Sequence, residues 1–332
     1  MKTKTLTILL ATVALSSLLL LGCSAPQSTL TSIPTSTTVV SSPYPKDTST
    51  SAATQMATPL PSSTPIPPIS SPTPTMTLTS LPTLTAVERL AFTQELFLTN
   101  SGCMLPCWWS ITPGVSNWLE VEVFLNFIGA KTSPQILNAG YVYHSAGGFD
   151  LVVSESTITN RFGFLEREGG IELIAVRSDG YGNPVAFQEQ WALFSPKRII
   201  EKYGAPSRVW LESSSSGPVT EDRVAGYTLW LYYDQFGFLI LYNGYGEFAP
   251  TFHFCPRFEN GKDIRSLKMY LQSPVNPNPV EVTAGIIGLE IDPFPEVQSI
   301  EEATSISVTE FYNLFAQEEM PACFDTPRDI WP

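Results

Sequence analysis

The stretch that decides the fold is SPKRIIEKYGAP, Ser195 to Pro206, followed by SRVWLE, Ser207 to Glu212. Ser195 is a good N-cap, because its hydroxyl oxygen accepts from a backbone N–H that the first helical turn leaves free. Pro196 suits the first helical position, where its missing N–H costs nothing. Ile199, Ile200 and Tyr203 form an apolar stripe at helical spacing, Gly204 supplies the stop, and Pro206 prevents resumption. The segment 207–212 then reads as a strand, the first of a series at 226–233, 237–242, 251–254 and 265–271. Asp234-Gln-Phe-Gly237 fits a four-residue hairpin loop between Tyr233 and Phe238. A short helix, a glycine stop and an antiparallel meander make one unit.

The same order occurs upstream. Asn117-Trp-Leu-Glu120 reads as a capping box whose helix runs to about Ile128 and ends at Gly129. Strand-like runs follow at 141–144, 149–155, 157–164 and 171–177. Phe124-Leu125 and Ile128-Gly129-Ala130 align with Ile199-Ile200 and Tyr203-Gly204-Ala205, an offset of 199 − 124 = 75 residues. The expected fold is therefore α+β, with two tandem helix-plus-antiparallel-meander units at about 103–190 and 191–272 and a C-terminal extension, 273–332. Two further helices flank them. Thr85-Ala-Val-Glu88 is a capping box ahead of Val87, Leu90, Ala91 and Phe97, with a stop at Asn100-Ser101-Gly102. Ser307-Val-Thr-Glu310 starts the last helix, with Val308, Phe311, Leu314 and Phe315 on one face. The turn-rich, apolar segment from Cys103 to Gly114 should pack on the core.

The globular part is only a portion of the chain. Lys2 and Lys4 precede an apolar run of 16 residues, 6–21, shorter than the ~20 a spanning helix needs and suited to a secretory signal. Residues 24–85 number 62, of which 41 are Ser, Thr or Pro, with one aromatic (Tyr44) and two charges (Lys46, Asp47). Such a stretch buries too little apolar surface to offset its chain entropy and is expected to be a disordered stalk, reaching between about 45 Å as coil and 190 Å fully extended. That leaves 332 − 85 = 247 residues, 86–332, as the folded domain. Its charge is 15 − 30 = −15, after removing three Lys and one Asp from the totals of 18 and 31. This balance excludes a basic nucleic-acid binder and docking on anionic lipid through a polybasic face.

The apolar run ends in Leu20-Leu21-Gly22-Cys23, which resembles the lipobox of bacterial lipoproteins. The resemblance implies a signal peptide at 1–22, an acylated Cys23 holding the chain to membrane lipid, and an extracytoplasmic domain beyond the stalk at 23–85. The helix-plus-meander layout over roughly 110–272 resembles the β-lactamase-inhibitor-protein architecture. Ile199-Ile200-Glu-Lys-Tyr203-Gly204-Ala205-Pro206 is similar to the helix-end pattern of small outer-membrane-assembly lipoproteins. These resemblances imply protein binding by an open sheet face and transfer no site residue.

Four cysteines remain after Cys23, an even number that in an exported domain implies two disulfides. Of three connectivities the favoured one is Cys103–Cys107 with Cys255–Cys323. The alternative is a thiophilic metal or redox centre using Cys103-Met-Leu-Pro-Cys107 with His253-Phe-Cys255. No metal or other cofactor is assigned.

In strand 226–233, Tyr227, Leu229, Leu231 and Tyr233 point one way and Thr228, Trp230 and Tyr232 the other. The first set is the better core face, which places Trp230 and Tyr232 on an open side, with Trp210 between Arg208 and Glu212 on the next strand. Such a row has the composition of a binding patch. The competing occupant of that face is the extension 274–332, whose Ile286, Ile287, Leu289, Ile291 and Trp331 need partners. No nucleophile-elbow, zinc-protease, phosphate-loop or dinucleotide motif is present. Glu166, Glu168 and Glu172 beside Arg161 and Arg167 have the residue types of a glycosidase carboxylate pair, in a setting that reads as a solvated hairpin. The expected function is a membrane-tethered, non-catalytic binding or scaffolding lipoprotein with an envelope protein or glycan as partner. The alternative is a glycan-acting hydrolase or a metal/redox protein.

Overall fold

A computed structural model describes residues 84–153, 156–180, 183–214, 224–248, 251–258, 264–288, 297–317 and 322–331. The signal segment, Cys23 and all but the last two residues of the stalk lie outside this range. Among the described residues the fold is α+β. The helices are α1 (Ala86–Thr99), α2 (Trp118–Phe127), α3 (Pro184–Trp191), α4 (Pro196–Tyr203), α5 (Val280–Gly285), α6 (Ile300–Thr304) and α7 (Val308–Ala316). The strands are β1 (Lys131–Ile136), β2 (Tyr141–Gly147), β3 (Leu151–Val153), β4 (Ser156–Arg167), β5 (Gly170–Asp179), β6 (Arg208–Ser214), β7 (Val224–Tyr233), β8 (Phe238–Phe248), β9 (Thr251–Phe254), β10 (Ile264–Gln272), β11 (Val297–Ser299) and β12 (Phe324–Pro327).

The caps form where the sequence places them. Ser195 accepts from the Arg198 N–H at 3.4 Å and Asn117 from that of Glu120 at 3.0 Å. Thr85 with Glu88, and Ser307 with Glu310, make reciprocal capping boxes. Gly204 ends α4 at φ +79°, a conformation that costs a Cβ-bearing residue more. Sequence reading missed β1, whose residues are almost all exposed and include Pro134, so no alternation marks it. It also missed α3, whose N-cap Asn183 accepts from the Ala186 N–H at 3.1 Å.

One antiparallel sheet runs in the order β1-β2-β4-β5-β10-β8-β7-β6-β11, with β3 beside β4 and β9 carrying β12 from the end of β8. The chain lays down β1, β2, β4 and β5 inward from one end, and β6, β7, β8 and β10 inward from beside β11 at the other, so the two meanders meet at β5–β10. All ladders are antiparallel, as hairpin connections require.

The larger core lies between one face of this sheet and the layer containing α1, α3, α4 and α7. Trp108 sits at its centre, fully buried, with Trp191 stacked at 5.8 Å and Trp109 at 5.3 Å between ring centroids. Each such ring contributes a few kcal/mol through burial. Trp108 and Trp109 come from the Cys103–Gly114 segment, which packs on the core as expected. Asn100 holds the segment in place, donating to the Cys103 and Cys107 carbonyls and accepting from the Trp109 N–H at 2.9 Å.

Candidate functional site

The faces of β7 divide as the alternation predicts. Tyr227, Leu229, Leu231 and Tyr233 join the larger core, while Trp230 and Tyr232 face the other way. That second face is not open around them. Val280 and Ala284 of α5 lie on it, making a smaller core with Trp230, Tyr232, Leu239, Leu241 and Tyr270. Trp230 is 5% exposed and Tyr232 0%, while Trp210 stays half-buried. Of the two outcomes weighed for this face, cover by the C-terminal extension is the one observed around Trp230 and Tyr232, where α5 sets Val280 and Ala284 over the rings.

The three predicted residues do come together. Tyr232 lies 5.2 Å from Trp210 and 6.4 Å from Trp230 between ring centroids. The Arg208 guanidinium sits 4.0 Å over the Tyr232 ring and bridges Asp234 and Glu281, each at 2.9 Å. Glu281 belongs to α5, so this bridge ties the cover to the sheet. Burial opposes the Arg208 charge, but hydrogen bonds to Asp234 and then Glu281 outweigh it and hold the group above its ordinary value. Burial, then the Glu281 charge, pushes the Tyr232 phenol up, so its hydroxyl stays a neutral donor. Several buried groups along this interface lack a hydrogen-bond partner among the described residues: Trp230 Nε1, Tyr232 Oη, Gln272 Oε1, Glu281 Oε2 and Thr283 Oγ1. Buried polar atoms in a settled interface are normally satisfied.

Past α5 the same face turns polar and becomes accessible at its β4 and β5 side, while Leu241, Trp230 and Ser266 stay buried. The strand register places Arg161, Arg177, Lys268, Leu241, Trp230 and Trp210 in one row across β4, β5, β10, β8, β7 and β6. The next row outward holds Thr159, Asp179, Ser266, Asn243, Thr228 and Glu212. Arg161 and Arg177 are exposed and Lys268 is half-buried. Arg177 Nε is 2.9 Å from Asp179 Oδ2 and Asn243 donates to Ser266 Oγ at 2.7 Å. Burial first, and Arg177 second, pull the Lys268 ammonium down; Asp179 and Glu212 partly oppose this. Like charges directly opposite across strands cost stability. Three adjacent cations stand against two carboxylates, Asp179 and Glu212, in the next row, a balance of 3 − 2 = +1 on a chain of net charge −13. Sequence reading missed this row, because alternation gives the face of a residue but only the register gives its neighbours.

The other candidates are placed as follows. The sulfurs of Cys103 and Cys107, and of Cys255 and Cys323, are bonded, with Cα–Cα separations of 5.8 and 4.1 Å. His253 lies beside the second pair. Glu166 hydrogen bonds His144 at 2.6 Å, and the His144 ring stacks on Trp118 at 3.5 Å. Glu172 faces Arg167 at 4.0 Å and accepts from Tyr141 Oη at 3.4 Å. Glu168 occupies a turn at φ +52°. Two of these three carboxylates are thus engaged in cross-strand contacts.

Comparison with protein families, curated proteins and solved structures finds no match to this chain. Among the described residues no helix is long and apolar enough to cross a membrane, which says nothing of spanning by strands.

Proposed function

We propose that the chain is a membrane-tethered, extracytoplasmic, non-catalytic binding lipoprotein whose folded domain meets an anionic partner on the sheet face beside α5. The tether in this reading is acylated Cys23, reached through the Ser/Thr/Pro stalk of residues 24–85. The two helix-plus-meander stretches, α2 to β5 and α4 to β10, are read as tandem copies of one unit, supported by their mirrored order in the sheet.

The observation that carries the reading is the row from Arg161 through Lys268 to Trp210. Cations recognise an anion, and the half-buried Trp210 at its far end offers a planar apolar surface with low ordering cost. The unpartnered groups around Trp230 and Tyr232 add donors and acceptors that a ligand reaching under α5 meets. The partner class is an acidic segment of an envelope protein or an anionic envelope glycan.

Two measurements test this. Mass spectrometry of the mature N-terminus should find Cys23 as an acylated first residue; an intact Met1, or cleavage elsewhere, refutes the tether. Binding of the full chain to an acidic peptide and to an anionic polysaccharide, measured against salt, tests the face. Arg177→Glu with Lys268→Glu should weaken the productive arm at least tenfold while near-UV circular dichroism stays unchanged. Affinity that ignores both the charge reversal and salt removes the row from the mechanism.

A further inference from the structure

β9 and β12 form a two-stranded ribbon in which Phe254 pairs with Phe324 and His253 with Asp325. Alternation turns Phe252, Phe254, Phe324 and Thr326 inward, where all are buried. It leaves His253, Cys255, Cys323 and Asp325 on the outer side, half-buried or exposed. The disulfide is thus one part of a four-residue cluster on one face of the ribbon.

His253 Nδ1 lies 2.8 Å from Asp325 Oδ1, and His253 Nε2 lies 3.3 Å from Cys255 Sγ. The donor atoms of His253, Cys255 and Cys323 all fall within 4.8 Å of one another. A carboxylate only accepts, so the ring tautomer that pairs with Asp325 carries its proton on Nδ1. Its Nε2 lone pair then faces the sulfurs. A carboxylate behind a histidine, with the other ring nitrogen aimed at thiols, is the arrangement that orients a ligating imidazole.

We propose that reduction of the Cys255–Cys323 disulfide converts this cluster into a site for one thiophilic d10 cation, Zn2+ or Cu+, bound by two thiolates and His253 Nε2. The reductant is an external dithiol. Its two S–H groups supply two electrons and two protons, it leaves as its own disulfide, and Cys255 and Cys323 become thiols. Cation binding then releases the two thiol protons to solvent. Tetrahedral geometry with metal–sulfur bonds of ~2.3 Å and a metal–nitrogen bond of ~2.0 Å sets S···S near ~3.8 Å and N···S near ~3.5 Å. The His253–Cys255 spacing of 3.3 Å is already close to that. With the cysteine Cα atoms 4.1 Å apart, side-chain rotation is enough to part the sulfurs. The β9–β12 ladder and the His253–Asp325 bond keep the donors in register after the disulfide opens. Three protein donors leave a fourth position for water or an added ligand, at a cluster whose His253 side chain is 41% exposed. Such a site exchanges its ion, whereas a four-donor structural site seals it in.

The test uses the full chain carrying Cys103→Ser and Cys107→Ser, reduced with a phosphine and titrated with Co2+ and then Zn2+. The expected result is one ion per chain, a thiolate-to-cobalt charge-transfer band, and no binding by the oxidised chain. His253→Ala should weaken Zn2+ binding at least 100-fold and Asp325→Asn by 10- to 100-fold. Should the serine background fail to fold, reduced wild type is compared with reduced His253→Ala, and the stoichiometry should fall by one ion. A folded, reduced chain that binds no Co2+ overturns the proposal. So does unchanged affinity in His253→Ala, or a chain that unfolds on reduction and is not refolded by one equivalent of Zn2+.

Discussion

Replacing Cys255 and Cys323 together by serine tests how the C-terminal extension is held. The bond joins residues 68 apart. Closing a loop of that length removes chain entropy from the unfolded state equivalent to about 4 kcal/mol at 25 °C. The Cys103–Cys107 bond spans only 4 residues, and the same relation gives about 2 kcal/mol. The double variant Cys255→Ser/Cys323→Ser should therefore lose roughly twice the stability of Cys103→Ser/Cys107→Ser. By calorimetry that is a fall in Tm of roughly 10–15 °C for a domain of this size. A native domain stable by about 5–15 kcal/mol stays folded after such a loss in most of that range. Urea titrations followed by Trp fluorescence would give both values. A loss below about 1 kcal/mol for the long clasp refutes the reasoning. The tail would then be held by its contacts alone: the β9–β12 ladder, Thr326 Oγ1 donating to the Ala303 carbonyl at 2.6 Å, and Trp331 Nε1 donating to Thr326 at 2.9 Å.

Four further outcomes follow from single positions. Gly237 turns the hairpin at φ +72°, and a Cβ there would stand 2.5 Å from the Gln272 carbonyl oxygen, so Gly237→Ala should cost roughly 2–3 kcal/mol in urea unfolding. Burial pushes the Asp234 carboxyl up, but Arg208 and Ser207 outweigh it and hold it below its ordinary value. Its contribution is complete above the unfolded carboxylate pKa of ~3.9 and is lost as pH falls through the lower folded value. Asp234→Asn should therefore reduce stability at neutral pH and flatten its fall below about pH 4. The two tyrosines Tyr242 and Tyr232 are both fully buried, but among the described residues only the Tyr242 hydroxyl has a hydrogen-bond partner, donating to the Phe194 carbonyl at 2.8 Å. Tyr242→Phe should cost about 1–2 kcal/mol, whereas Tyr232→Phe should be neutral or stabilising.

What could be read from the chain was whatever local chemistry encodes. Ser195, Pro196, Gly204 and Pro206 specify α4 with no help from the rest of the molecule, and the alternation in 226–233 assigns the faces of β7 correctly. Residues whose role depends on distant neighbours were harder to read. α5 is a six-residue helix, and nothing in Val280, Thr283 and Ala284 says which rings they cover. Lys268 reads as one polar residue in a strand until the register sets it between Arg177 and Leu241. Asp325 lies in a tail with no helical or strand pattern, and only pairing with β9 brings it to His253. α3 was hidden by the turn-like residues Gly180 and Asn183 ahead of it, although Phe187 and Trp191 stand at i and i+4 and are both fully buried.

The two ends of the main strand row have a consequence for crowding. β1 presents an almost wholly exposed outer strand whose Pro134 lacks an N–H, and β11 at the other end offers only three residues. A long regular outer strand is a template on which a second chain can zip and begin an aggregate; proline and brevity are two ways of blunting it. Under the proposed tether, many copies held side by side on one surface would meet at high local concentration, and these two ends would deny them a ready ladder. Replacing Pro134 with a β-former would restore a donor to that strand and tie the tendency to clump directly to surface density.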